Sequence, residues 1–480
     1  MDNKSPLHLP KTPSGIAGLD EITAGGLPVG RPSLVCGNAG CGKTLLGMQF
    51  LVKGATEYDE PGVFISFEES RDDLVINVAS LGYDLSALIA ANQLRIDHVD
   101  LMSNPVEQSG DFDLEGLFIR LGAAIDAIGA RRVVFDTLEV LFGQLPDPDR
   151  VRAEINRLFR WLKQHGITAI VTAEAGERNL TRHGLEEYVS DCVIVLDHRV
   201  NEQISARRLR IVKYRGSSHG SNEFPFLIGE DGISILPVTS LGLEYEASEE
   251  RIASGIEGFD QMLGGKGFYR GSSILISGTS GTGKSSIAAH LAEVSAQRGE
   301  KTLYFAYEES AAQILRNMSS IGIDLTHWCD KSLLQIRSIR PTATGLEAHL
   351  IAMLKRIREY QPKMVVIDPL NSFVSGGDTY AIKVMLSRLL DYMKSNGITA
   401  VCNSLTSSDG NEERTDIGIS SLMDAWLLLR NTESGGARYH TLTIVKSRGM
   451  AHSNGVHGYR ITGSGIVFDQ NINPAQINDE

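Results

Sequence analysis

Short apolar runs alternate with longer amphipathic stretches along the chain. The runs that stand out are residues 63–67, 132–136, 168–171, 303–307, 364–368 and 399–402. Unbroken apolar runs of this length are typical of strands that are buried on both faces. Residues 151–164 and 345–360 have the apolar spacing of helices. Strands alternating with helices predict an α/β fold with a mostly parallel sheet flanked by helices, and ligand chemistry at the carboxyl ends of the strands.

Five sequence features occur twice in the same order, about 240 residues apart. The segment Ser-Gly-Ile-x-Gly-x-Asp starts at Ser14 and again at Ser254. A loop of the form G-x-x-x-x-G-K-[ST], a Glu-Glu pair, an aspartate that ends an apolar run, and a Lys-x-Arg-Gly segment then follow in both copies. This order predicts a tandem duplication. We expect domains at residues 1–240 and 251–468, a linker at 241–250 and a tail at 469–480.

Each copy contains one glycine-rich loop of the P-loop type. Its glycines let backbone N–H groups surround phosphate, its lysine reaches the β- and γ-phosphates, and its last hydroxyl binds Mg²⁺. The two loops predict two ATP sites, with Thr44 and Ser285 as Mg²⁺ ligands. The residues expected to contact ATP are Gly40, Cys41, Gly42, Lys43, Thr44 and Leu45 in the first copy, and Ser280, Gly281, Thr282, Gly283, Lys284, Ser285 and Ser286 in the second.

A pair of glutamates ends the second apolar run of each copy, Glu68 with Glu69 and Glu308 with Glu309. A carboxylate at the tip of the strand beside the P-loop faces the γ-phosphate. As a general base it contributes on the order of 10² to 10⁴ in rate. The alternative is that the pair only starts the following helix, because acidic residues favour helix N-termini. The matched spacing in both copies favours the catalytic interpretation.

The third apolar run of each copy ends in an aspartate, Asp136 or Asp368. We interpret both as Walker B residues that bind Mg²⁺ through water. The alternative is that each only caps the next helix.

A Lys-x-Arg-Gly segment lies near the end of each copy. Alternation along a strand places its lysine and arginine on one face, which suits them to bind phosphate. Because each site already has a lysine, we expect this second set to contact the nucleotide of a neighbouring subunit. A solvated basic strand is the alternative. The set is Lys213, Tyr214, Arg215, Ser217 and His219 in the first copy and Lys446, Arg448 and His452 in the second.

Composition narrows the function classes. The 480 residues carry a formal net charge of −13, which disfavours nucleic acid as a partner. The five cysteines form no C-x-x-C pair, so we expect reduced thiols. Cys41 is a candidate redox thiol beside phosphate, although filling a variable loop position is the simpler reading. No apolar run reaches the roughly 18 residues of a membrane span, and we expect a cytoplasmic protein.

Taken together, the motifs resemble the KaiC family of clock ATPases. The resemblance covers residues 12–468 and rests on the two P-loops, both Glu-Glu-Ser strand ends, residues 110–114, residues 131–136 and both Lys-x-Arg-Gly segments. It implies a homohexameric double ring of RecA-like domains, with ATP and Mg²⁺ between subunits. The first ring would be an ATPase and the second an autokinase, with Glu308 as an additional Mg²⁺ ligand. A KaiB-like protein would bind the first ring.

The resemblance also locates phosphorylation sites in the second copy. The family's Ser-Thr pair falls on Ser420 and Ser421, with Thr415 as a nearby third hydroxyl. The second residue is therefore serine, as in divergent paralogues outside the core clock. Residues 187–191 of the first copy contain no such pair. Without the resemblance, two adjacent serines before a strand would be ordinary turn residues.

Two departures from the family pattern change the expectation. Only twelve residues follow Phe468, so regulation by a KaiA-like protein is not expected. The family's adenine-stacking tryptophan falls on Ile321, which removes stacking worth about 0.5–1.5 kcal/mol. Two other functions compete with this one: a RecA- or helicase-like DNA motor, and a nucleotide-gated scaffold in which turnover hardly matters.

Overall fold

The computed structural model describes most of the chain. Its described residues are 9–99, 115–142, 148–176, 180–181, 190–201, 204–237, 247–340, 345–376, 379–406, 418–434 and 437–469. The motif at residues 110–114, Thr415, residues 187–189, the first part of the expected linker and all but the first residue of the expected tail lie outside these ranges.

The chain folds into two compact units, Met1–Ser240 and Leu241–Glu480. The strands of the first unit are β1 (Lys11–Thr12), β2 (Leu27–Pro28), β3 (Pro32–Gly37), β4 (Gly62–Ser66), β5 (Leu94–His98), β6 (Arg132–Asp136), β7 (Thr168–Glu174), β8 (Cys192–Asn201), β9 (Ile204–Tyr214), β10 (Glu223–Gly229) and β11 (Gly232–Ile235). Its helices are α1 (Leu19–Ile22), α2 (Lys43–Glu57), α3 (Arg71–Ala79), α4 (Leu85–Ala90), α5 (Glu115–Ile128), α6 (Leu138–Phe142) and α7 (Pro148–Gln164).

The second unit repeats this order. Its strands are β12 (Arg251–Ile252), β13 (Phe268–Tyr269), β14 (Ser273–Gly278), β15 (Thr302–Ala306), β16 (Leu334–Ser338), β17 (Met364–Asp368), β18 (Thr399–Leu405), β19 (Ala425–Ser434), β20 (Ala437–Ser447), β21 (Val456–Thr462) and β22 (Gly465–Asp469). Its helices are α8 (Glu257–Met262), α9 (Lys284–Gln297), α10 (Ala311–Ser319), α11 (Leu325–Asp330), α12 (Leu346–Tyr360) and α13 (Thr379–Ser395), with 3₁₀ turns at Leu370–Gly376 and Ser420–Leu422.

Within the described residues, each unit is built on a nine-stranded sheet. The order in the first is β11-β10-β9-β8-β3-β7-β6-β4-β5, and the second has the matching order. The strands from β8 to β5 are parallel, whereas β9, β10 and β11 extend the sheet as antiparallel strands. The predicted α/β class with a mostly parallel sheet is confirmed. The P-loop strands β3 and β14 lie in the middle of their sheets.

Both faces of the sheet are buried, which explains the unbroken apolar runs. On β4, Val63 and Ile65 point into the apolar cluster under α5 and α7, and Phe64 points into the cluster on the other face. Successive side chains of a strand point to opposite faces, so a strand covered by helices on both sides needs apolar residues throughout.

A buried charge distinguishes the first unit. Arg132 begins β6, is fully buried, and donates from Nε to Glu60 (2.6 Å) and from its terminal nitrogens to Phe50 O and Pro13 O (2.9 Å each). Burial lowers the pKa of Arg132, and Glu60 counteracts this. The residue that begins β17 in the second unit is Met364. The core of the first unit therefore has a buried charge at a position that is apolar in the second unit.

In the part of the chain that the structure describes, none of the helices combines the length and apolar character needed to cross a membrane.

Candidate functional site

In each unit a glycine-rich loop joins the central strand to the next helix. In the first unit Gly40 and Gly42 have φ of 73° and 105°, and in the second Gly281 and Gly283 have φ of 77° and 83°. Residues with a side chain rarely adopt these values, so the glycines are required by the turn. Helices α2 and α9 begin directly after the loops. Their unpaired N–H groups therefore face the loop, the arrangement that binds phosphate.

The P-loop lysine of the first unit is buried and already hydrogen bonded. Lys43 Nζ donates to Gly37 O (2.8 Å) and Asn38 O (3.1 Å). It also forms an ion pair of 2.8 Å with Glu174, the last residue of β7. Its ammonium group thus has three oxygen partners.

Among the described residues, the P-loop lysine of the second unit keeps only the backbone part of this arrangement. Lys284 Nζ donates to Gly278 O (2.9 Å) and Thr279 O (2.7 Å). Burial lowers the pKa of Lys284, while the negative charges of Asp368 and Glu308 act in the opposite direction. A phosphate group bound here would complete the hydrogen bonding of the lysine.

The predicted Walker B aspartate of the first unit ends β6. Asp136 accepts hydrogen bonds from the hydroxyls of Thr172 and Thr44. Burial raises the pKa of Asp136, whereas these two hydrogen bonds and nearby Lys43 lower it. The structure therefore brings together Lys43, Thr44 and Asp136, three residues that the sequence placed in one site.

Asp368 of the second unit is held by a different donor. It accepts a hydrogen bond of 2.6 Å from the hydroxyl of Tyr304, which lies on β15 and is buried. Burial, and then the neighbouring Asp368, raise the pKa of Tyr304, so the phenol stays a donor. The matching residue of the first unit is Phe64, which cannot donate.

Both loops offer the oxygen ligands that Mg²⁺ prefers, namely hydroxyl and carboxylate groups that leave room for water. Thr44 lies at Asp136 in the first unit. Ser285, Asp368 and Glu308 line one cavity in the second. The residues present thus fit a magnesium ion.

The two glutamates of the first pair have different surroundings. Glu68 accepts a hydrogen bond from Thr137 (3.3 Å), the residue directly after Asp136, whereas Glu69 accepts one from Asn77 on α3 (2.9 Å). Glu68 therefore faces the carboxyl end of the neighbouring strand, where the site lies. Glu69 is directed to the helix that follows.

The second pair repeats this division. Glu308 accepts from Ser372 (3.3 Å), in the 3₁₀ turn after β17, and Glu309 is 3.5 Å from Asn317 on α10. The first turn of α10 is capped by Ser310, which forms a capping box with Gln313. The glutamates are thus not needed as the cap.

A cavity of about 290 Å³ lies at the P-loop of the second unit. It is lined by Lys284, Ser285, Glu308, Glu309 and Asp368, together with Ser280, Gly281, Gly283 and Ser286 from the loop. Its volume is at the lower end of the range for small-molecule sites. The predicted P-loop residues other than Thr282 therefore share one concave surface with both glutamates and Asp368.

Some loop residues predicted to contact ATP have side chains that face the core, so they can contact phosphate only through their backbone. Cys41 is fully buried and burial raises the pKa of its thiol, which argues against a reactive thiolate. Thr282, its counterpart, is also buried and donates to Thr279 O. Leu45 packs against the apolar core.

The candidate phosphorylation sites lie at the end of the sheet where β14 begins, opposite the P-loop. Ser420 and Ser421 form a 3₁₀ turn whose neighbour Asp424 binds Ser273, the first residue of β14 (2.9 Å). The P-loop follows the other end of β14. A strand of this length spans about 17 Å. The serines are therefore separated from Lys284 of the same chain by the length of the central strand.

The cations predicted to contact the nucleotide of a neighbouring subunit also lie, in each unit, at the end of the sheet where the P-loop strand begins. Lys446 Nζ donates to Ser420 O (2.8 Å) and Arg448 donates to Ser421 O (2.7 Å). In the first unit, Arg215 N donates to Asp191 O (2.8 Å), the residue before β8. Lys213 lies two residues earlier, on β9. Neither cation pair is at the P-loop of its own unit.

The remaining predicted contacts are placed as follows. Tyr214 is buried and donates to Gly26 O (2.7 Å), so its side chain is part of the core. Ser217 accepts from Lys11 (2.6 Å), and the ring of His219 lies 6.5 Å from that of Tyr214. His452 Nδ1 is 3.2 Å from Met450 O.

Several residues of the sites were not predicted from the sequence. They are Thr137, Glu139, Thr172 and Glu174 in the first unit and Tyr304, Asn371, Ser372 and Leu405 in the second. The predicted fourth strand ended at Val171, whereas β7 continues to Glu174. Extending that strand to its carboxyl end would have found Thr172 and Glu174.

Two P-loops, each at the centre of a mostly parallel sheet, define a tandem RecA-like ATPase. The family model described as "ATPase: KaiC" matches residues 12–240 and 252–472. The chain belongs to the KaiC family of ATPases, and the resemblance drawn from its sequence is confirmed.

Curated relatives match nearly the whole chain. The circadian clock protein KaiC2 of Synechocystis sp. (strain ATCC 27184 / PCC 6803 / Kazusa) is 51% identical over 99% of this chain and 84% of its own length. The circadian clock oscillator protein KaiC of Parathermosynechococcus lividus is 38% identical over 95% of this chain and 85% of its own length. That of Prochlorococcus marinus subsp. pastoris is also 38% identical, over 96% and 91%.

Proposed function

We propose that both units hydrolyse Mg²⁺-ATP, and that the second unit also transfers the γ-phosphate to Ser420 or Ser421 of an adjacent subunit. The observation that carries the proposal is the separation of these serines from their own P-loop by the length of β14. The donor site lies where β14 ends, and the acceptor serines lie where β14 begins. They meet only when this end of one copy packs against the opposite end of another copy. Transfer between subunits follows from this geometry.

In the hydrolytic reaction the attacking group is water. Lys43 neutralises charge on the phosphates, and Glu68 accepts the proton of the attacking water. Mg²⁺, held by Thr44 and Asp136, would supply positive charge that offsets the negative charge of the phosphates. The contact of Glu68 with Thr137 directs the carboxylate toward the Walker B strand end, which supports its assignment rather than that of Glu69.

In the transfer reaction the attacking group is a serine hydroxyl of the neighbouring subunit. A bond forms between the serine Oγ and the γ-phosphorus, and the bond from this phosphorus to the β,γ-bridging oxygen breaks. ADP leaves with that electron pair. The hydroxyl proton passes to Glu308, which lines the cavity beside Lys284.

The assembly that meets these requirements is a closed ring, and we propose a homohexamer with ATP between subunits. Its support is that the cationic pairs Lys213 with Arg215 and Lys446 with Arg448 lie at the edge opposite each P-loop. A ring places each pair on the neighbour's nucleotide. Because the relatives are named as circadian clock proteins, we propose a timing or signalling role, with a KaiB-like protein on the first unit.

The test is peptide mass spectrometry of the protein after incubation with Mg²⁺-ATP, beside a Ser420→Ala/Ser421→Ala variant. We expect phosphate at Ser420 or Ser421 in the parent chain and its loss in the variant. ATP hydrolysis without phosphate on either serine would remove the kinase part of the proposal.

A mixing experiment tests transfer between subunits. Lys284→Ala chains cannot donate from the second unit, and Ser420→Ala/Ser421→Ala chains have no acceptor. We expect phosphate on the Lys284→Ala chains only after the two variants are mixed and allowed to exchange subunits. Phosphate on the parent protein but never in the mixture would show that transfer occurs within one chain.

A further inference from the structure

The first and second units differ at one residue beside the P-loop lysine. In the first unit the carboxylate of Glu174 lies 2.8 Å from Lys43 Nζ. Glu174 ends β7 and pairs in register with Gly37, the residue that begins the P-loop. In the second unit the residue that ends β18 and pairs with Gly278 is Leu405. Topology and register thus make Glu174 and Leu405 equivalent positions.

The backbone that carries Glu174 is fixed. Its N–H donates to Glu139 Oε1 at 2.6 Å, while the N–H of Leu405 donates to Asn371 Oδ1 at 2.6 Å. Both positions are therefore held by a side chain that follows the Walker B strand. The carboxylate of Glu174 is presented to Lys43 by a strand end that cannot easily move away.

In the first unit, a phosphate oxygen and the Glu174 carboxylate would compete for the same lysine. Lys43 is buried and its three partners are Gly37 O, Asn38 O and Glu174. In the described part of the second unit no carboxylate lies within ion-pair distance of Lys284, which binds only Gly278 O and Thr279 O. A phosphate oxygen can join Lys284 directly. To reach Lys43 it must replace a carboxylate, and the displaced carboxylate then lies close to the phosphate charge.

We propose that Glu174 is a positioning residue that competes with the β- and γ-phosphates of nucleotide for Lys43, so that the first site binds ADP and ATP less tightly than the same site would without it. This inference rests on the proposed function only in that the P-loop binds nucleotide phosphate. Glu174 is 36% exposed, so water screens part of the interaction. We therefore expect an effect of about three- to tenfold in affinity rather than several orders of magnitude.

The test is calorimetric binding of ADP and of AMP, with Mg²⁺, to chains in which Lys284→Ala disables the second site. Glu174→Gln keeps the size of the side chain and removes its charge, and Glu174→Leu copies the second unit. Both are expected to tighten ADP binding by about three- to tenfold. AMP lacks the phosphates that reach the P-loop lysine, so its affinity should stay the same.

The converse variant is a matched control. In a chain with Lys43→Ala, Leu405→Glu places a carboxylate beside Lys284 and is expected to weaken ADP binding at the second site. Thermal unfolding of each nucleotide-free variant shows whether the fold is intact.

The outcomes separate the competition from the proposed function. Unchanged or weaker ADP binding in a well-folded Glu174→Gln chain would overturn the competition alone. An equal gain for AMP would do the same, because it would point to a general change of the pocket. Failure of the first site to bind ADP in every chain, Glu174 variants included, would overturn both.

Discussion

The two nucleotide sites share one backbone and differ in the side chains that hold their charged groups. In both units a glutamate contacts the residues that follow the Walker B strand, Glu68 at Thr137 and Glu308 at Ser372. The lysines differ, since among the described residues Lys43 has a carboxylate partner and Lys284 has none. The glutamate that we propose to polarise the attacking nucleophile is thus present in both units, while the groups that we propose to set phosphate affinity differ.

The antiparallel strands beside the two sites have diverged as well. On β9, Arg208 forms an ion pair with Glu223 of β10 (3.2 Å), whereas the corresponding positions on β20 and β21 are occupied by Thr441 and Val456. Charged pairs in one unit correspond to neutral pairs in the other. After a duplication, substitutions in one unit can change its activity or stability without changing the other unit. The variants below test this independence.

The largest effect is expected from the glutamate that faces the site. Glu68→Gln should lower ATP hydrolysis by the first unit about 10²- to 10⁴-fold, because the general base is lost. Steady-state ATPase assays in a Lys284→Ala chain measure it. Glu69→Gln is the matched control and should retain most activity, since Glu69 is directed to Asn77. An equal loss in both variants would show that the hydrogen-bond directions do not identify the base.

The buried charge should give the next effect, on stability. Arg132→Met copies Met364 of the second unit and leaves Glu60 without its partner, which we expect to destabilise the first unit by about 3 kcal/mol. Hydrogen exchange of the β6 amides should become faster and that of the β17 amides should not change. The added substitution Glu60→Gln should recover part of the loss. Uniform changes in both units would contradict independent stability.

The donor to the Walker B aspartate should have a smaller effect. Tyr304→Phe copies Phe64 and removes the hydrogen bond to Asp368. A hydrogen bond to a charged group contributes about 1.5–3 kcal/mol, so we expect Mg²⁺ affinity of the second unit to change by roughly tenfold or more. Mg²⁺ titration of nucleotide binding in a Lys43→Ala chain measures this. Phe64→Tyr is the converse control, and no change in Tyr304→Phe would mean that this phenol does not influence the metal site.

The pH dependence should give the smallest effect. Burial raises the pKa of Asp136 above its ordinary value of 3.8. Mg²⁺ needs the carboxylate, so metal affinity of the first unit should fall as the pH falls through this raised pKa, by up to about tenfold per pH unit. The same shift makes folding of the metal-free unit more favourable at lower pH. Mg²⁺ titrations of a Lys284→Ala chain at several pH values test it, with Asp136→Asn expected to remove the dependence.

The sequence predicted the sheet well because its central strands are buried on both faces. The run at residues 132–136 coincides with β6, and residues 151–164 fall within α7. The direction of β9 was not predicted, and β10 and β11 were not predicted as strands. Strand direction depends on connections and hydrogen bonding across the sheet, which the apolar pattern of a single strand does not contain.

The site was predicted as far as local motifs extend. The P-loop residues are adjacent in sequence, and Asp136 and Glu68 follow apolar runs, so their spacing identified them. Glu174 lies more than a hundred residues from Lys43, and Tyr304 sits inside an apolar run. Such contacts arise from strand order and register, so they became visible only in the structure. The difference between Glu68 and Glu69 likewise needed the direction of each side chain.

The second unit also contains its own optical reporter. Trp426 is buried on β19, and its indole N–H donates to Ser277 Oγ at 2.7 Å, one residue before the P-loop begins. Indole emission responds to the polarity and hydrogen bonding around the ring. With Trp161 and Trp328 replaced by phenylalanine, the fluorescence of the remaining tryptophan would report nucleotide arriving at the second site, while the first site remained silent.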